Sequence, residues 1–82
     1  MKNNNCYIIA HSYDNKHFNE VLHISNNKPY FLMGIYYAHV KIYKSLKCAI
    51  KKAKEVKPRF PMYENIAILQ IKGEQESVVE LI

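Results

Sequence analysis

The chain is 82 residues long, 49% apolar and 23% charged, with a formal net charge of +5 and a pI near 9.3. A chain this short buries only roughly 60 to 65% of its unfolded surface, which excludes a second core, so residues 1–82 are read as a single domain. The composition is that of a globular chain and excludes disorder, and no apolar run approaches the about 20 residues that span a bilayer.

Residues 1–5 (MKNNN) are polar where a signal peptide would turn apolar, so a cytoplasmic chain with no membrane partner is expected. In that compartment Cys6 and Cys48 are expected to be reduced and structural rather than bridged. The positive charge favours an anionic partner, either nucleic acid or an acidic protein surface.

In chain order, residues 6–13 (CYIIAHSY) are rich in β-branched and aromatic side chains and end in the turn chemistry of Asp14, Asn15 and Lys16, which predicts a first strand. Its alternation places Tyr7, Ile9, His11 and Tyr13 on one face, and Cys6, Ile8, Ala10 and Ser12 on the other. Residues 18–24 (FNEVLHI) fit a short strand or a helical turn, and residues 25–29 (SNNKP) break the chain into a hairpin. Residues 30–43 are too long and apolar for one straight strand, with Gly34 the natural kink. Beyond it, Ala38, Val40 and Ile42 are expected to face inward, and Tyr37, His39, Lys41 and Tyr43 outward.

Ser45 is a suitable N-cap, and Leu46, Ala49, Ile50, Ala53 and Val56 follow at helical spacing until Pro58 forbids continuation. Residues 57–61 (KPRFP) form a stiff connector, and a second hairpin follows from residues 66–72 and 76–82 around Gly73, Glu74 and Gln75. The expected fold class is α+β: a small antiparallel sheet of about five strands, in the order β-β-β-α-β-β, with one helix at about 45–57 packed on one face. One helix covers one face of such a sheet. The other is expected to be wet, matched to a partner, or closed by a second copy in a homodimer.

Catalytic and metal chemistry find little support. His11, His17 and His23 recur every six residues, but no pair of ligands shares a tight loop or a helical face, so no metal or other cofactor is expected. Cys48 lies between Lys47 and Lys51, yet Asp14 is the only aspartate and no Cys-His-Asp order or glycine-rich phosphate loop accompanies it. The chain is read as not an enzyme. The binding residues singled out are Lys44, Lys47, Lys51 and Lys54, which align along one side of the helix, and Tyr37, His39, Lys41 and Tyr43 on the uncovered sheet face. The plainer reading of both sets is solvation of a helix and ordinary cross-strand packing.

The passage HVKIYKSLKCAIKKAKEV followed by ENIAILQI resembles short accessory proteins of bacteriophages and mobile elements, with a strand leading through Tyr43, Lys44 and Ser45 into a helix carrying Ala49 and Ala53. That resemblance covers about half the chain and includes anti-CRISPR and other anti-defence inhibitors. It implies a non-enzymatic protein that inhibits or regulates a host nucleic-acid-handling complex by contact with an acidic protein surface or a nucleoprotein. The basic charge argues against mimicry of DNA. Direct binding of DNA or RNA and a structural homodimer are the alternatives. The strand-to-helix passage also resembles the arm-type DNA-binding domains of phage integrases, from which the hairpin after Pro61 departs.

Overall fold

Asn26 and Asn27 both take left-handed backbone, φ 52° and 63°. Asparagine tolerates that conformation, and two successive positive φ values are the pattern of the tight turn that matches strand twist in a two-residue hairpin. The turn joins β2 (Glu20–Ser25) to β3 (Lys28–Met33), with Ser25 opposite Lys28. Residues 18–24, readable as strand or helix, therefore contribute a strand. The computed structural model describes residues 6–12, 18, 20–33, 40–73 and 75–82, and of Met33 the backbone alone. The remaining elements are β1 (Cys6–Ser12), α1 (Leu46–Val56), β4 (Asn65–Lys72) and β5 (Gln75–Leu81), with a short 3-10 turn at Lys57–Arg59.

The five strands form one antiparallel sheet in the order β3-β2-β1-β4-β5, and the chain order β-β-β-α-β-β is the expected one. Its spine is the β1–β4 ladder, paired from Cys6 opposite Ile71 to Ser12 opposite Asn65. The ladder between β1 and β2 is short, with Ala10 opposite Val21 and His11 opposite Glu20. Toward Tyr7 and His23 the two strands part, and residues 40–43 enter the gap. Tyr7 N–H donates to Tyr43 O at 2.7 Å, Tyr43 N–H returns a bond to Tyr7 O at 2.8 Å, and Lys41 N–H donates to Leu22 O at 3.1 Å. The expected half-buried strand beyond Gly34 is thus, where described, a bridging segment that satisfies backbone groups left open by the splayed strands. Gly34, Tyr37, Ala38 and His39 lie outside the described residues.

On one face α1 lays Ala49, Ala53 and Val56 against Tyr7, Ile9, Leu22, Phe31, Ile66 and Ile68, all buried. The two alanines let the helix backbone approach the sheet closely. Ser45 caps the helix as expected, its hydroxyl accepting from Cys48 N–H at 3.4 Å. The opposite face departs from expectation, because at its centre Ile8, Ala10, Val21 and Leu69 are also buried, with Phe18 and Val40 packed against them. Phe18 and Val40, from outside the strands, pack over it, so the centre of that face is not a wet or partner-matched surface.

Gly73 turns the second hairpin at φ 58°, and since a Cβ there would meet nothing within 4 Å, the glycine serves the backbone conformation alone. A bulge between Ile68 and Leu69, which oppose Glu80 and Val78, shifts the register of β5. Val79 thereby packs on the helix-side core, while Val78 and Leu81 stay 48% and 62% exposed. Both sheet edges are guarded. Pro29 lies in β3, and β5 presents exposed Glu76 and Glu80, so two copies pairing through β5 would crowd four carboxylates onto one ladder.

Candidate functional site

Helical periodicity separates α1 into a buried stripe and an exposed basic face. Lys44, Lys47, Lys51 and Lys54 are all exposed. At about 1.5 Å rise per residue, Lys47 to Lys54 spans about 10 Å along the axis. The helix carries one carboxylate, Glu55, and it lies 3.8 Å from Lys52, which is not in the row. No acidic residue occupies the first turn. Lys44 and Lys47 therefore stand where the helix dipole disfavours cations, and Lys47 and Lys51 form a like-charge pair one turn apart. A helix tuned only for stability would place acids there.

The second predicted surface does not assemble as expected. Tyr37 and His39 lie outside the described residues, and Lys41 is exposed with its ammonium 5.7 Å from the centroid of the Tyr43 ring. Tyr43 turns inward onto the helix-side core, and Ile42, expected inside, is 53% exposed. The cause is geometric: Val40 bridges to His23 and Tyr43 bridges to Tyr7, so the segment ties two diverging strands and cannot keep a two-residue alternation.

Burial, with smaller contributions from Glu55 and Cys48, pushes the Tyr43 phenol up to about 12. Among the described residues its buried hydroxyl has no hydrogen-bond partner. Tyr43→Phe is thus expected to leave stability at pH 7 unchanged or raised by up to about 1 kcal/mol, because it removes a desolvated polar atom. Between pH 10 and about 12 the unfolded chain sheds this proton while the folded chain keeps it, so stability falls as pH rises through that window. Denaturant titrations at pH 7, 9 and 11 check both: the variant should lose this component of the alkaline decline, and a loss above about 1 kcal/mol at pH 7 would contradict the buried, unbonded hydroxyl.

The described histidines diverge. His11 Nδ1 donates to Glu20 Oε1 at 3.1 Å on the helix side, whereas His23 Nδ1 donates to Val21 O at 2.9 Å on the other face. His17 and His39 are outside the described residues. Both cysteines are free thiols, but Cys48 is exposed rather than packed. Its side chain projects from the third helical residue.

The feature not anticipated from sequence is a groove of about 620 Å3 at the C-terminal end of α1, walled by Lys54, Lys57, Phe60, Tyr63 and Ile82 among others. Residues 57–61 had been expected only as a connector. Tyr63 N–H donates to Phe60 O at 2.9 Å, closing a turn that brings the two rings parallel, 5.5 Å apart and 3° from coplanar orientation. His11 stacks on Tyr63 at 3.8 Å, and Phe31 meets Phe60 and Tyr63 edge-on at 5.2 and 5.3 Å. Lys57 Nζ donates to Ile82 O at 2.8 Å. The sequence signal was the pair of aromatics flanking Pro61 and Met62, next to the last lysine of the row.

Fold and site together define a small antiparallel α+β domain with a basic helix face leading into an aromatic groove. Comparison with protein-family models, curated proteins and solved structures gives no significant match. No helix among the described residues is long and apolar enough to cross a membrane.

Proposed function

We propose that the chain is a non-enzymatic binding protein acting on a nucleic-acid-handling complex, and that its basic helix face contacts the nucleic acid. The observation that carries this reading is the exposed row Lys44, Lys47, Lys51 and Lys54, of which Lys44 and Lys47 stand against the helix dipole. Lysine is depleted in protein interfaces, where its desolvation is costly, whereas a line of ammonium groups suits a phosphate backbone. In the phage or mobile-element setting that the sequence resembles, the protein would inhibit or regulate a host complex in the cytoplasm by occupying its nucleic-acid path. The test is a salt titration of binding to single- and double-stranded oligonucleotides. Each phosphate contact steepens the dependence of log K on log salt by roughly 0.7 to 0.9, so a total of about 2 to 4 is expected. Absence of binding at low salt overturns the reading.

Contact with an acidic protein surface is the second reading, favoured by Met62. This side chain is 68% exposed at the tip of the Phe60–Tyr63 turn, an apolar anchor beside cations. Pull-down from nuclease-treated bacterial lysate with wild type and Met62→Ser separates the cases. A protein recovered by wild type and lost with the variant supports the contact, and recovery of no protein by wild type removes it.

A further inference from the structure

We propose that the groove at the C-terminal end of α1 receives one nucleotide of a single-stranded nucleic acid, its base stacked on Phe60 and its phosphate held by Lys54 and Lys57. The inference rests on the nucleic-acid reading and adds a binding site to it. The groove's volume of about 620 Å3 falls in the roughly 300 to 1,000 Å3 range of small-ligand sites.

Its wall is built for a planar group. Tyr63 stacks with Phe60 at 5.5 Å and with His11 at 3.8 Å. Phe31 meets Phe60 and Tyr63 edge-on, at 85° and 88°, and packs both rings from the side. Phe60, whose ring partners among the described residues are Tyr63 and Phe31, lines the groove. A fourth ring placed there continues an existing stack, and ordering the site costs little because the rings are already packed.

Among the groove's side chains two are lysines and one, Glu64, is a carboxylate, a balance that favours an anion. Lys57 is pinned by its bond to Ile82 O at 2.8 Å and is therefore a positioned cation rather than a freely swinging one. Lys54 belongs both to the groove wall and to the lysine row. A strand whose phosphates follow Lys44, Lys47 and Lys51 is thereby led to the groove. A duplex hides the faces of its bases, so the site takes single strands or frayed ends.

The test measures fluorescence anisotropy of the full chain with a labelled ten-nucleotide oligothymidylate, its duplex with oligoadenylate, and unlabelled thymidine monophosphate as competitor. Phe60→Leu keeps apolar bulk in the core and removes the ring; Phe60→Trp restores one. Thermal melting of each variant confirms that it folds. Tighter binding of the single strand than of the duplex is expected, with about a tenfold to hundredfold loss in Phe60→Leu and recovery in Phe60→Trp. Single-strand binding that is unchanged in Phe60→Leu overturns the groove site and leaves the lysine row standing. No binding of either oligonucleotide overturns both. Free thymidine monophosphate binding as tightly as the oligomer overturns the assignment to a strand in favour of a free nucleotide.

Discussion

Reversing Lys47 and Lys51 to glutamate is expected to lower affinity for a single-stranded oligonucleotide on the order of tenfold per residue at low salt, and to flatten the salt slope by about 1.4. Both side chains are exposed, so the fold should tolerate the change. Stability should change by no more than about 0.5 kcal/mol, because a carboxylate at position 47 complements the helix dipole while the carboxylate at position 51 forms like-charge pairs one turn apart with position 47 and with Glu55. A loss of binding with the fold intact is the discriminating sign. If the lysines served only to solvate the helix, affinity would follow net charge wherever it was changed. Lys28→Glu with Lys72→Glu, exposed at the two hairpin turns, gives the same change in net charge as a control. Equal losses in the two double variants would reduce the lysine row to bulk charge.

The second large effect concerns the core. Ile68→Ala is expected to cost about 2 to 5 kcal/mol, the range for truncating a large buried aliphatic side chain. Ile68 is 0% exposed, lies opposite Ile9 on the β1–β4 spine, and belongs to the cluster that α1 covers with Ala49 and Ala53. With helix alanines packed so closely on the sheet, little can move in to refill the space. A domain of this length has roughly 4 to 12 kcal/mol of total stability. The melting temperature should accordingly fall by about 10 °C or more, and the variant can be largely unfolded at 37 °C. Leu81→Ala, 62% exposed on edge strand β5, should stay within about 0.5 kcal/mol. Chemical denaturation of both variants decides: a cost below about 1 kcal/mol for Ile68→Ala would contradict the placement of β4 inside the sheet, between β1 and β5.

The elements legible in the sequence were those whose signals are local. Ser45 before an apolar stripe and Pro58 after it bound the helix, because an N-cap bond and a proline ring act within a few residues. Asn26 with Asn27, and Gly73, mark the hairpins because their backbone angles are intrinsic preferences of those residues. The alternation of β1 separated Tyr7 and Ile9 from Ile8 and Ala10, and the structure puts the first pair on the helix face. Lys47, Lys51 and Lys54 were legible for the same reason, since their spacing and exposure follow from helical periodicity, whereas Lys44 precedes the extended N-cap Ser45 and lies off the helix.

The sequence by itself therefore determined the helix, the expected order β-β-β-α-β-β and the basic helix face, and left residues 18–24 open between a strand and a helical turn. Only the tertiary structure decided that residues 40–43 bridge two diverging strands, that Tyr43 points inward and Ile42 outward, and that Phe18 and Val40 pack on the second face of the sheet. It also decided that Lys54, Phe60, Tyr63 and Ile82 enclose a groove next to the lysine row. The physical reason is common to these cases. Periodicity reports burial along one continuous element, whereas a bridge, a covered face and a groove depend on where separate segments meet, a relation that no local preference encodes.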